Sequence, residues 1–292
     1  MKVLITGGSG FIGRNIIEQL GDRHEFIFPN LTELDLVNDK DVSNYLKKIN
    51  PDLIIHGANV GGLRNTNDPH DLVEINLRMF FNIVKANTLH KRMITLGSGA
   101  EYDKQYDIIS VSENDFDIHV PADQYGFTKY IMSKFAGCTD NITHLRLFGI
   151  YGKYEDYRTR FISQTICKAL LDLPIIIRQN VRFDYLYVND FVKILDLLIS
   201  KTPTSKCYNI GRGIQIDLIT ITNKILNILK KDVPVKIEND GMNKEYTCNI
   251  DRLKNEFSFF NFTDFDQSLV ELVDYYREIL PKIDRNILIN KI

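Results

Sequence analysis

No apolar run in the 292 residues approaches the roughly 18 needed to cross a bilayer. The segment from Met1 to Gly8 holds only a three-residue apolar stretch, Val3–Ile5, shorter than the core of a secretory signal. A cytoplasmic chain with no membrane partner is expected. Cysteine is sparse: Cys138, Cys167, Cys207 and Cys248 lie far apart, with no Cys-x-x-Cys or Cys/His pairing at metal-ligand spacing. They are expected to be buried reduced thiols, since free cysteine packs as a small hydrophobe. The six histidines are scattered, without His-Glu-x-x-His, so no metal site is expected. Charge of one sign is lacking too: 36 Lys and Arg face 38 Asp and Glu, for a net −2. Without a long basic block, a nucleic-acid partner recruited by bulk charge is excluded. There is no Pro/Gly/Ser-rich linker, low-complexity tract or solenoid repeat.

What remains is an ordinary globular composition, 44% hydrophobic and 25% charged, near the upper length limit for one core. One or two intimately packed lobes follow. Short β-branched runs alternate with amphipathic stretches through the first two-thirds. Strands are expected at Val3–Ile5, Glu25–Phe28, Leu34–Leu36, Leu53–His56, Met93–Leu96 and Thr143–Leu147. Helices fall near Phe11–Leu20, after a cap at Asp39 with Val42, Tyr45 and Leu46 inward, at Asp71–His90 and at Ala122–Ala136. Alternation of this kind implies an α/β class with a Rossmann-type, doubly wound parallel sheet. After Tyr151 the rhythm loosens. Residues 1–150 read as a dinucleotide-binding domain and 151–292 as mainly a smaller C-terminal α/β substrate lobe. Segments around 180–210 should return to the main sheet. Ligands in such sheets bind along the carboxyl edge.

Thr6 to Gly13 follows the first strand and opens the first helix with glycines at Gly7, Gly8, Gly10 and Gly13. Gly7 permits the tight turn, Gly10 lets backbone approach a pyrophosphate, and Gly13 lets helix and strand pack closely. The backbone at Gly7, Ser9, Gly10, Phe11 and Ile12 is the expected cofactor cradle, at a helix N-terminus that favours negative charge. A structural turn without ligand would use the same residues. No acid ends the second strand to meet a ribose, and no arginine sits there for a 2′-phosphate, so NAD and NADP both stay open. Asp35 and Leu36 are the candidates for the adenine side.

Tyr125 and Lys129 are four apart and share a helix face. An ammonium beside a phenol stabilises the phenolate and makes it a usable acid/base. Tyr130 and Lys134 repeat the spacing about 140° around the same helix. The two pairs cannot both face a cofactor, and Tyr125 lies nearer the carboxyl edge. Ser98, leaving the fifth strand there, is positioned to donate to a developing oxyanion. It would equally serve as a turn serine bonding its own backbone.

Glycine loop, Ser98 and Tyr125/Lys129 in this order resemble the extended short-chain dehydrogenase/reductases over nearly the whole chain. Pro51 to Ala58, Arg146 to Gly152, Asp184 to Asp190 and Tyr208 to Gly211 look like further landmarks of that family. The resemblance implies an NAD(P)-dependent enzyme acting on nucleotide-activated sugars, with Ala58, Asn76 and Lys129 beside the cofactor. It implies that Tyr125 exchanges a proton with the sugar oxygen, assisted by Ser98. Gly99 and Ala100 follow Ser98, where the 4,6-dehydratases carry an acid pair. Asn59 to Leu63 is similar to a loop of the GDP-fucose synthases, implying Val60 and Gly61 at the substrate with Gly99 and Phe148. The epimerising Cys and His of those enzymes correspond here to Ala100 and Arg160, and a guanidinium does not deprotonate.

A 4-keto-6-deoxy-sugar reductase, using NADPH or NADH, is therefore the leading expectation. A 4-epimerase with retained NAD is the rival. A silent dinucleotide-binding sensor, which would need the glycine loop but not the trio, is the alternative of another class. Arg160, Arg182 and Asn209 are the candidates for the substrate diphosphate. A homodimer through the helices at 71–90 and 122–136 is implied, with Phe80, Phe81 and Tyr130 as apolar contacts.

Overall fold

The computed structural model describes residues 1–62, 68–87, 91–257 and 260–290. β1 (Lys2–Thr6) leads into α1 (Phe11–Leu20), then β2 (Glu25–Ile27), α2 (Asp39–Ile49), β3 (Leu53–His56), α3 (Leu72–Ala86) and β4 (Arg92–Ser98). A one-turn 3-10 helix (Gly99–Tyr102), β5 (Ile108–Val111), α4 (Gln124–Gly137) and β6 (Ile142–Leu147) follow. Then come β7 (Ile150–Tyr151), α5 (Phe161–Leu170), β8 (Ile175–Asn180), β9 (Arg182–Asp184), β10 (Leu186–Tyr187), α6 (Val188–Ser200) and β11 (Cys207–Ile210). The chain continues through β12 (Gln215–Asp217), α7 (Leu218–Leu229), β13 (Val235–Met242), β14 (Tyr246–Cys248), α8 (Asp251–Glu256), α9 (Phe265–Glu278) and α10 (Arg285–Asn290).

Six strands form one sheet in the order β11-β6-β4-β3-β1-β2, with every neighbouring pair parallel. Val3 and Ile5 join the core on one face, and Leu4 joins the core on the other, as the two-residue pleat requires. α2, α3 and α4 cover the Leu4 side with Val42, Leu46, Phe80, Ile83 and Met132, while α1 and α6 cover the opposite side. The sheet is covered on both faces, so its strands read as continuous apolar runs. This is the doubly wound α/β arrangement. Strand order reverses at β1, which places the crevice at the carboxyl ends of β1 and β3.

A second core gathers α5, α7 and α9 with β8 around Ile166, Ile175, Ile221 and Leu269. Between the two cores a four-stranded sheet, ordered β12-β9-β14-β5, ties the chain after Ser98 to the C-terminal part. Among the described residues, no helix is long and apolar enough to cross a membrane.

Several local expectations need correction. Leu34–Leu36 is not a strand. The Asp35 carboxylate accepts from Val37 N at 2.9 Å and its carbonyl accepts from Asn38 N at 3.1 Å, which closes a turn. Leu34 and Leu36 are buried against α2 and α3 without pairing, so β2 stays at the sheet edge. Asn38, not Asp39, caps α2, its Oδ1 accepting from the Lys40 and Asp41 amides. The helix expected to reach His90 is described to Ala86, with 88–90 outside the described residues. Cys138 is exposed and Cys207 half-buried, so only two thiols are core residues. Phe80 is fully buried against Phe81 and Phe135, and Tyr130 is nearly so, leaving neither an apolar surface for a partner.

Candidate active site

The glycine loop sits at the crevice. Gly7 takes a positive φ of 76°, and the Gly10 amide closes the turn onto the Gly7 carbonyl at 3.1 Å. Gly13 lies against that carbonyl so closely that any side chain would collide with it. α1 begins at Phe11 with no side-chain cap and no acidic residue in its first turn. Among the described residues the Phe11 and Ile12 amides that open α1, with that of Ser9, have no internal acceptor competing for them, whereas the Gly10 amide is spent on the turn. This cradle fits a dinucleotide pyrophosphate, because backbone donors and positive helix end converge where no Cβ intrudes.

The other residues expected at the cofactor divide into two kinds. Ala58 abuts Gly7 and donates its amide to Thr6 Oγ1 at 3.3 Å. Asn76 is buried and commits both ends of its amide to Val60, at 2.8 Å each, so it holds the loop rather than offering a group to a ligand. Asp35 is half-buried in its turn, and Leu36 is buried with its carbonyl bonded by Asn82. Phe28, expected to end the second strand, lies just past β2, half exposed and in contact with the Gly8 position.

Ser98 ends β4, and its side chain caps the following 3-10 turn by accepting from Ala100 N at 3.2 Å. Tyr125 stands in the first turn of α4, whose N-cap Asp123 accepts from Gly126 N at 2.9 Å. Burial pushes the Tyr125 phenol above its ordinary value, opposed first by a hydrogen bond from Ser98 and then by the Arg160 guanidinium. Burial therefore outweighs both, and the opposition comes from Ser98 and Arg160 rather than from the lysine expected to lower it. Lys129 is buried beneath, its Nζ donating to the Leu96 carbonyl at 3.0 Å and lying 5.8 Å from the Tyr125 ring centre. Burial lowers its pKa to about 8, with Glu101 resisting.

On the substrate side, Gly62 packs against the Tyr125 ring at a φ of 73°, where a Cβ would strike the ring. Val60 and Gly61 precede it and are half-buried, while Leu63 lies outside the described residues. Gly99 faces Phe148 and the Tyr246 hydroxyl. Phe148 has no exposed surface, so it forms the floor under Tyr246 and presents nothing to a ligand. Arg160 precedes α5 and acts electrostatically on Tyr125, which places its charge at the site.

Arg182 is a correction. Phe183 packs toward Tyr246 with ring centres 5.8 Å apart, so its neighbour Arg182 points to the opposite face of β9. There Arg182 is half exposed and meets Glu245 at 3.9 Å. Asn209 is a second correction. It is fully buried, its Oδ1 accepts from Tyr102 at 2.7 Å, and its Nδ2 donates to the Val111 carbonyl at 2.8 Å. Neither group is left for a diphosphate.

The model of the NAD dependent epimerase/dehydratase family matches residues 3–211. The chain belongs to this family. Its relatives include the GDP-L-colitose synthase of Yersinia pseudotuberculosis, 26% identical over 94% of this chain and 98% of that protein. Another is the GDP-6-deoxy-D-talose 4-dehydrogenase of Aggregatibacter actinomycetemcomitans, 28% identical over 81% of this chain and 83% of that protein. In fold, the chain matches the NADP-bound GDP-L-fucose synthetase of Naegleria fowleri with a TM-score of 0.84. That match has 15% identity and covers 96% of this chain and 94% of that one.

In this epimerase/dehydratase-family chain the site rests on a buried polar floor. Glu101 accepts from Ser98 N at 2.8 Å, pairs with His144 Nε2 at 2.8 Å and takes Arg146 Nε at 2.9 Å. All three side chains are essentially without exposure. Arg146 also donates to Ser133 Oγ at 2.7 Å, and His144 Nδ1 meets Thr95 Oγ1 at 2.6 Å. Burial pushes the Glu101 carboxyl up, but His144, Arg146 and the Ser98 amide together bring it below its ordinary value. Every partner of the ion pair is hydrogen-bonded, which is the condition under which burying it is tolerable.

Proposed function

We propose that the chain is an NAD(P)H-dependent reductase of the C4 keto group of a nucleoside-diphosphate 4-keto-6-deoxy sugar, serving deoxysugar and surface-glycan synthesis in the cytoplasm. The observation that carries the reading is the set of groups around the Ser98 hydroxyl. Two proton-bearing side chains, Ser98 and Tyr125, meet at the carboxyl edge beside the glycine cradle, and Ala100 stands where a further acid/base would be needed. Tyr125, kept protonated by burial, is in the form that delivers a proton to a keto oxygen. Ser98 holds that oxygen by a hydrogen bond as negative charge builds on it. Lys129 supplies fixed positive charge below the phenol, and Arg160 is the cation that remains for the diphosphate.

The dinucleotide supplies the two-electron reduction, held at Gly7, Ser9, Gly10, Phe11 and Ile12. The names of the relatives favour a GDP-linked 6-deoxysugar. Screening NADPH and NADH consumption against enzymatically made CDP-, dTDP-, GDP- and UDP-4-keto-6-deoxyhexoses tests the reading. Stoichiometric consumption with one of them supports it. Cofactor that stays bound through purification and is never consumed selects the 4-epimerase instead. A homodimer through the outer faces of α3 and α4 belongs to the same proposal, and light scattering reads it directly.

A further inference from the structure

Tyr246 lies 148 residues from Ser98 in sequence, yet its hydroxyl is 3.4 Å from Ser98 Oγ. Its place is set by backbone and by packing. β14 pairs with β9 and with β5, Ile108 N bonds the Glu245 carbonyl at 2.9 Å, and the ring rests on Phe148 and Phe183 at 5.0 and 5.8 Å between centres. Among the described residues its hydroxyl has one hydrogen-bond partner, Ser98. Burial drives the phenol well above its ordinary value, so it stays a neutral donor across working pH.

A serine hydroxyl has two lone pairs and one proton. The Ala100 amide already occupies one lone pair of Ser98. We propose that Tyr246 is a positioning residue that donates its O–H to the second lone pair, leaving the single Ser98 proton no direction but the Tyr125 oxygen and the keto oxygen beside it. Ser98 is thereby changed from a free rotor into an obligatory donor. The chain Tyr246 to Ser98 to Tyr125 polarises along its length and favours the charge that develops on Tyr125 as it gives up its proton. The inference rests on the proposed roles of Ser98 and Tyr125 and extends them to a third hydroxyl.

Tyr246→Phe keeps the ring against Phe148 and Phe183 and removes only the hydroxyl. In the reductase assay kcat is expected to fall about ten-fold with KM within about two-fold, the loss of one hydrogen bond felt in the transition state. A readout independent of any sugar is the Cζ resonance of Tyr125 in tyrosine-labelled protein, identified by its loss in Tyr125→Phe. Tyr246→Phe should shift it in the direction that Ser98→Ala does. In a Ser98→Ala background the same change should shift it no further, since Tyr246 acts through that hydroxyl. An unmoved resonance in Tyr246→Phe, or an additive shift in the double variant, overturns the proposal. Failure of every sugar to turn over, with the resonance shifts as stated, overturns the reductase reading and leaves the Tyr246 assignment standing.

Discussion

α4 carries two Tyr-x-x-x-Lys pairs, and their surroundings make them opposites. At Tyr125/Lys129 the lysine is buried and donates to a backbone carbonyl, with no carboxylate bonded to it among the described residues, and its pKa falls to about 8. At Tyr130/Lys134 both side chains bind the exposed Asp117, which raises the tyrosine and the lysine alike. The Tyr130 phenol donates to that carboxylate and has no proton to spare for a substrate, and the Lys134 charge is neutralised within the pair. Spacing decides which residues share a helix face. The environment decides whether the pair can move a proton.

The sharpest way to break the comparison is at Tyr125, the proposed proton donor. Tyr125→Phe should lower turnover by about 10² to 10⁴-fold, the usual range for a general acid, with NADPH binding measured by fluorescence unchanged. Adding Asp117→Ala to that variant frees Tyr130 and Lys134, and turnover should not return. Any recovery would mean that spacing alone suffices. Next in size is the floor beneath Tyr125 and Lys129. Glu101→Gln leaves Arg146 buried without its countercharge and should cost about 3 kcal/mol in urea unfolding. Its folded pKa is depressed, so the stability it contributes is present above the ordinary carboxylate value and is lost as pH falls through the depressed one. The Gln variant should lack that acid-side loss.

Lys129→Met should abolish the pH dependence that the buried ammonium creates. The folded pKa of about 8 lies below the ordinary 10.5, so the unfolded chain binds the extra proton between those values. Wild-type stability therefore rises with pH across that window and carries the full penalty below it. The variant should show no such rise and should be at least as stable near neutrality, while losing activity. The smallest effect belongs to the other pair. Tyr130→Phe should leave turnover within about two-fold and cost on the order of 1 kcal/mol or less, because its partner is exposed.

Much of the fold was legible because burial on both faces leaves continuous apolar strands between amphipathic helices, and the glycine loop marks β1 and α1 by itself. Ser98, Tyr125 and Lys129 were legible because they follow strands and helix starts in a fixed order. The misses have physical causes. Leu34–Leu36 carries the apolar residues of a strand, but the Asp35 side chain accepts from the Val37 amide and the turn wins locally. Arg182 was one residue out of phase, and only the pairing of β9 with β14 shows which face it takes. Asn209 and Phe148 stand beside the site in sequence landmarks yet are consumed by the core. Tyr246 had no local signal, since a tyrosine in a three-residue strand gains its meaning only from the distant Ser98.

The turn at Leu34–Leu36 also bears on how the protein stays dispersed while it folds. Among the described residues no strand lies beyond it, and the sheet ends at β2, three residues long with Glu25 exposed. Had the leucines paired there, the rim would have been an apolar strand with unpaired backbone groups, a template for adding a strand from another molecule. At the opposite rim, Arg252 of α8 donates to the Cys207 carbonyl of β11 at 3.1 Å, occupying backbone that a stray chain would otherwise use. A sheet whose interior is built for burial is thus blunt at both margins, and the polar turn that defeated a strand expectation guards one of them against aggregation.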